Sequence, residues 1–189
     1  MKRDDTAAAI LATARTEFLR YGFDGTDVTR MARRAGVSPN TFYRCFKGKV
    51  DVFIAVYLTW AAEEHRAFEE LIAEPGAAAE IVDAVVSRHR QDVWFRRSLR
   101  RLAHEDSFVR SAVAFVRRDL VRTLTEWVGA TADAAAVAAD LLQFEQLAVT
   151  LAEAELDDMT IDDSVLRDRM AAVLMRWRLR AVEGPAISA

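Results

Sequence analysis

Residues 35–49 read AGVSPNTFYRCFKGK, and the side chains in this stretch suit contact with a polyanion. Asn40 carries an amide that can pair bidentately with a base edge, and Thr41 offers a methyl and a hydroxyl. Arg44, Lys47 and Lys49 are cations that suit phosphate, and the Tyr43 hydroxyl can reach one. Thr29 and Arg30 add a hydroxyl and a guanidinium a little upstream. If the stretch is helical, Phe42 and Phe46 lie four apart and share one face. With Val37 they can pack against Phe18, Val28 and Met31, leaving Asn40, Tyr43, Arg44 and Lys47 on the other side. Pro39 and Thr41 then flank the helix start, where unpaired N–H groups and the helix dipole favour phosphate. This is recognition chemistry, with double-stranded DNA as the partner it fits. A unit of the same layout used only for packing is the alternative that the residues alone leave open.

The elements that must hold these groups can be read from punctuation and periodicity. Ile10, Leu11, Ala14, Phe18 and Leu19 follow helical spacing over Thr6 to Tyr21. Gly22 stands where a helix end needs a left-handed residue. Asp27 caps a second helix, Val28 to Ala35, with Val28, Met31, Ala32 and Ala35 on one face. Gly36 breaks it. Ser38 caps a third helix, with Pro39 in its first turn, where proline costs no hydrogen bond. That helix ends near Phe46 and is only about 10–12 Å long. Two helices joined by a tight glycine-containing turn are the layout of a helix-turn-helix, whose second helix enters the major groove. Beyond Lys49 the pattern predicts six long helices: Val50 to about Ala73, Ala77 to about Asp92, Val93 to His104, Ser107 to Val128, Asp133 or Ala134 to Leu156, and about Ser164 to Glu183. The final GPAISA reads as a frayed tail. The boundary between a head (1–49) and a body (50–189) falls at a continuing helix rather than a linker.

Gly22 to Phe53, GFDGTDVTRMARRAGVSPNTFYRCFKGKVDVF, resembles the N-terminal signature of TetR-type (TetR/AcrR) transcriptional repressors. The shared features are a Gly-aromatic, a Thr/Val pair, Ala-Gly-Val-Ser, Thr-aromatic-Tyr, and an aromatic before a lysine-rich turn. Asp27 departs from a frequent Thr, Asn40 from a frequent Gly or Arg, and Cys45 from a frequent aromatic or His. The resemblance implies an all-α fold: a three-helix DNA-binding head continuous with a larger ligand-binding and dimerising body, about nine helices in all. It implies that Thr29, Pro39, Asn40, Thr41, Tyr43 and Lys49 face DNA. It further implies a homodimer built through the last two long helices, whose recognition helices would meet successive major grooves of a palindromic operator about 34–36 Å apart. A small effector in the body would then release the operator, with the helix from Val50 and the one from Val93 to His104 as levers.

The body itself carries narrow apolar stripes in its two late helices. Val137, Leu141, Phe144, Ala148 and Leu151 form one; Leu166, Met170, Val173, Trp177 and Ala181 form the other. Such seams suit a helical bundle, within one chain or between two. Of these, Val137, Leu141, Phe144, Leu151, Leu166, Met170, Val173 and Trp177 are the expected dimer contacts. Aromatics beside polar groups suggest a pocket for a small lipophilic effector, expected at Trp94, Phe95, Phe115 and Phe144. His65, His89, His104, Gln143 and Glu145 are candidate polar handles, and plain core packing is the competing account of each aromatic.

Composition bounds the rest. The 189 residues are 52% hydrophobic and 29% charged, with only 7 Gly and 3 Pro, as expected of helix throughout. Residues 1–50 hold 10 Lys/Arg against 5 Asp/Glu, a net +5; residues 51–189 hold 16 against 24, a net −8. A basic head on an acidic body points a polyanion to the head alone. The single cysteine, Cys45, forms no internal disulfide and fits a reducing, cytoplasmic setting. No uncharged apolar run reaches the roughly 18–20 residues of a membrane span, and the N-terminus lacks the apolar core of a signal peptide. No zinc, di-iron, phosphate-loop or nucleophile motif is present, so neither an enzyme nor a cofactor is expected. An adaptor that binds DNA without an effector and acts through a protein partner is the alternative function.

Overall fold

The computed structural model describes residues 3–73, 76–129 and 132–182. Among them the chain forms nine α-helices: α1 (Arg3–Tyr21), α2 (Val28–Arg34), α3 (Pro39–Cys45), α4 (Lys49–Ala73), α5 (Ala78–Gln91), α6 (Val93–Glu105), α7 (Ser107–Val128), α8 (Ala134–Ala152) and α9 (Ser164–Val182). The fold is all-α, as the composition predicts, and the helix starts agree with the cap residues. Asp27 Oδ1 accepts from the Arg30 N–H at 2.8 Å, and Ser38 Oγ from the Thr41 N–H at 3.1 Å. Pro39 takes the first helical position of α3. Glu183 and the GPAISA tail lie outside the described residues.

α1 begins at Arg3, three residues before the expected start, and the largest difference from the sequence expectation is the end of α8. α8 stops at Ala152, and the chain continues through a single 3₁₀ turn, Asp157–Met159, instead of running helical to Leu156. Ala154 takes a left-handed φ of 56°, which breaks the helix. Glu153, Glu155 and Asp157 crowd this end with negative charge, where the helix dipole is already negative.

The helices divide into two compact units. The first comprises the described residues up to Glu64 with Asp92–Val116; the second comprises His65–Gln91 with the described residues from Arg117 onward. α4 and α7 each contribute residues to both.

The first unit is built around an aromatic chain. Phe18 of α1 meets Phe53 of α4 edge-on at 5.1 Å, Phe53 meets Phe95 of α6 at 5.0 Å, and Phe95 meets Trp60 of α4 at 5.2 Å. Met31 and Ala32 of α2 and Phe42 of α3 join the same core, and Val28, Val37 and Phe46 pack on it partly buried. These are the partners that the spacing predicts. Trp60 satisfies its indole N–H on Asp92 Oδ2 at 2.9 Å, and the Arg96 guanidinium lies 4.5 Å over its ring. At the end of α1, Ser98 Oγ of α6 accepts from the Phe23 N–H and donates to the Trp94 carbonyl, both at 2.8 Å.

The second unit is a helical cluster whose centre is Phe68, Phe144 and Trp177, with ring centroids 5.8–6.3 Å apart. Here the expected dimer contacts take a different role. Val137, Leu141, Phe144, Leu151, Met170, Val173 and Trp177 keep at most 4% of their surface within one chain, and Leu166 packs against the same core. A side chain with no accessible surface has none to bury against a partner. These stripes therefore close the protomer's own bundle. α8 is long and apolar enough to cross a membrane by length and composition alone. Its apolar stripe is core, however, and its charges are paired: Asp140 with Arg176 at 2.6 Å and Glu145 with Arg117 at 2.7 Å.

Gly22 has φ +68°, and a Cβ there would meet Ser98 Oγ at 2.9 Å; Gly36 has φ +70° but open space around it. Gly36→Ala is expected to cost only the left-handed strain, about 1–2 kcal/mol. Gly22→Ala adds a clash with α6 and is expected to cost roughly 2–4 kcal/mol. Urea denaturation of the two variants checks the difference, and equal losses would contradict the close approach of α1 to α6.

Candidate nucleic-acid interface

The seven residues of α3 are too few to hold a helix by propensity alone. Phe42 anchors it with no exposed surface, and Phe46 packs beside it, ring centroids 5.8 Å apart. With that face buried, Pro39, Asn40, Tyr43 and Arg44 are exposed on the remainder of the helix. The Tyr43 ring stands edge-on to Phe42 at 5.7 Å, which fixes its base while 56% of the residue stays accessible. Thr41 is half-buried, and its hydroxyl is 2.9 Å from Ser38 Oγ, so the cap side chain and Thr41 orient each other.

The turn after α3 carries Lys47 and Lys49. Asp51, in the first turn of α4, accepts the Lys47 N–H at 2.8 Å and so closes this turn. Lys47 is exposed. Lys49 is half-buried, with its ammonium 4.0 Å over the Phe23 ring. Burial draws the Lys49 ammonium pKa below the ordinary lysine value, against the carboxylates of Asp24 and Asp27, which act the other way. Thr29 is exposed at the start of α2, and Arg33, one turn further on, is exposed as well.

Arg30 has a different environment from the one expected. Its Nε lies 2.7 Å from Oε2 of Glu17, and its guanidinium stands 4.3 Å over the Tyr21 ring. Arg34 Nη1 donates to the other oxygen, Glu17 Oε1. The Glu17 side chain is fully buried, the only charged residue so placed among the described residues. The Arg34 contact is a directional hydrogen bond; the Arg30 contact is ionic, since Oε2 receives no aligned hydrogen bond. Burial of a carboxylate is costly unless it is paired, and two guanidiniums of α2 supply the pairing. The signal was present in the sequence. Glu17 is three after Ala14 and seven after Ile10, so it falls on the apolar face of α1, and Arg30 and Arg34 are four apart on α2.

The four expected effector-pocket residues do not share an environment. Phe95 is core in the first unit and Phe144 is core in the second. Trp94 and Phe115 are exposed, at 54% and 61%. Large aromatics on amphipathic helices went to the nearest core or to the surface, as competing core packing allows. Among the candidate polar handles, Glu145 pairs with Arg117, His89 Nδ1 lies 2.9 Å from the Val85 carbonyl, and Gln143 and His104 are exposed. Cys45 ends α3 half-buried against the first core, where it packs as a small apolar group.

Comparison with known proteins bears on the head first. Residues 10–56 match the family model for bacterial regulatory proteins of the tetR family. The fatty acid metabolism regulator protein of Bacillus subtilis (strain 168) is 32% identical over 68 residues, 36% of this chain and 35% of that protein, so the match spans about a third of the relative's length. A structure from Mesorhizobium loti MAFF303099 assigned to the TetR family superposes with a TM-score of 0.63 at 18% identity, covering 95% of this chain and 98% of that one. FadR from Bacillus subtilis, solved in complex with stearoyl-CoA, superposes with a TM-score of 0.52 at 19% identity, covering 88% and 96%. The N-terminal residues thus match the tetR family model, and the chain shares the helical fold of these structures.

Proposed function

We propose that the chain is a homodimeric repressor that grips a palindromic DNA operator through α3 and releases it when a small lipophilic effector binds. The observation that carries the reading is the division of α3 into two faces. Phe42 is wholly buried, while Pro39, Asn40, Tyr43 and Arg44 project from the rest, with Lys47 and Lys49 in the turn behind them. Asn40 reads a base edge; Thr29, Tyr43, Lys47 and Lys49 position the head on phosphate; Pro39 and Thr41 shape the helix start.

The dimer reading rests on exposed apolar side chains of the last two helices. Leu142 of α8 and Val165, Met175 and Leu179 of α9 keep 50–59% of their surface. Ala172, exposed between them, extends the α9 row at helical spacing. A second copy of this chain is the occupant that gives both heads a common axis. The effector class is supported by the relatives. The sequence match in Bacillus subtilis is named for fatty acid metabolism, and FadR of the same species was solved with stearoyl-CoA. A long-chain acyl thioester is therefore the first ligand to try. Coupling of this kind is reciprocal, so operator DNA lowers effector affinity by the factor by which effector lowers operator affinity.

Lys49→Ala is expected to weaken binding to every duplex and to lower the salt slope of log K by about 1. Asn40→Ala is expected to relax base preference at one position, at a cost of about 1–3 kcal/mol on the preferred site. Titrations on preferred and scrambled duplexes separate the two, and equal losses on both duplexes for both variants would remove Asn40 as a base reader. Met175→Glu combined with Leu179→Glu places charges in the α9 row without touching the core. Sedimentation of this variant is expected to show a folded monomer, and a persisting dimer would place the interface elsewhere.

A further inference from the structure

We infer that Glu17 is a specificity-determining residue: its buried carboxylate withdraws Arg30, and in part Arg34, of α2 from the DNA backbone and so leaves phosphate contact to other groups of the head, Lys47 and Lys49 among them. The inference rests on the DNA-binding reading above.

The geometry is a clamp between α1 and α2. Arg34 hydrogen-bonds one Glu17 oxygen, and Arg30 Nε sits 2.7 Å from the other. Arg30 is held on a second side by the Tyr21 ring, 4.3 Å away, and only 28% of its side chain is accessible, against 46% for Arg34, whose hold is the looser of the two. Arg20, from α1 itself, lies 5.2 Å over that ring. One carboxylate thus holds two of the head's guanidiniums. A third, Arg15, is engaged by Glu63 of α4, with Nη1 to Oε1 at 2.6 Å.

The consequence follows from how nucleic-acid affinity divides. Each cation that reaches a phosphate adds sequence-independent affinity, with a salt slope near 0.9 per contact. Base-edge contacts add the sequence-dependent part. Holding two arginines against Glu17 lowers binding to random DNA and leaves Asn40 untouched. The ratio of specific to random affinity rises, and that ratio decides occupancy of a site among many competitors. A clamp with a purely structural role would stabilise the head equally well but would leave the salt slope alone.

The test measures binding to a random-sequence duplex of about 30 base pairs by fluorescence anisotropy across a NaCl series. Arg30→Ala is expected to keep the Glu17–Arg34 hydrogen bond and to remain folded, which circular dichroism checks. It is expected to leave the salt slope unchanged, whereas Lys47→Ala lowers it by about 0.9. Glu17→Gln, once circular dichroism shows native helicity, is expected to steepen the slope by about 1–2 and to tighten random-duplex binding several-fold at low salt. Glu17→Gln with Arg30→Ala should reverse about half of that gain. A slope that falls in Arg30→Ala as it does in Lys47→Ala would put Arg30 on phosphate and overturn the inference. A folded Glu17→Gln with the wild-type slope would also overturn it, leaving a structural clamp. If Glu17→Gln does not fold, the Arg30→Ala slope decides alone. Wild-type protein that binds no duplex at all overturns the DNA-binding reading itself, an outcome distinct from either result.

Discussion

The burial of Phe42 is the contact on which the rest of the head depends. A seven-residue helix pays the full cost of nucleation for very few internal hydrogen bonds, so α3 forms only where something outside it holds it. Fully burying one phenylalanine is worth about 1.5–3 kcal/mol, enough to set the helix on the core and fix its rotation. Once Phe42 points inward, helical geometry leaves Asn40, Tyr43 and Arg44 outside. The proposed recognition face is a consequence of the packing face. The aromatic chain from Phe18 through Phe53 and Phe95 to Trp60 gives that packing something rigid to rest on. The Ser38 cap, with Pro39 behind it, sets where the helix begins.

Electrostatics sharpen the same face by subtraction. The head carries a net +5 by sequence, yet its cations are not equally available. Arg30 and Arg34 answer to Glu17, and Arg15 to Glu63. Lys47, by contrast, is exposed. A net charge counted along the chain therefore overstates what a phosphate backbone would meet, and the placement of each cation matters more than the sum.

Much of the fold was legible because its punctuation is local. Asp27, Ser38, Pro39, Gly22 and Gly36 act within a few residues of themselves, and helix starts and turns followed from them. The burial of Phe42 in one core with Phe18 and Met31 was legible too, because a four-residue spacing defines one face. What the sequence did not disclose depends on which elements meet. α8 and α9 each carry two rows of apolar side chains, and periodicity cannot say which row faces inward. The bulkier rows, with Phe144 and Trp177, went to the core, and the sparser rows at Leu142, Met175 and Leu179 stayed outside. Glu17 shows in the sequence as a lone carboxylate on an apolar stripe, and it gains its meaning when α2 brings Arg30 and Arg34 across. The early end of α8 turns on one left-handed alanine, a conformation no residue type there announces.

The central claim is that α3 reads a particular DNA sequence twice, once from each copy of the chain. Selection of bound duplexes from a random pool by the wild-type protein, followed by sequencing, tests it most directly. The account predicts enrichment of a two-fold-symmetric consensus, with half-sites about one helical turn or a little more apart. A pool that emerges unenriched, or enriched for a single unpaired half-site, would contradict it.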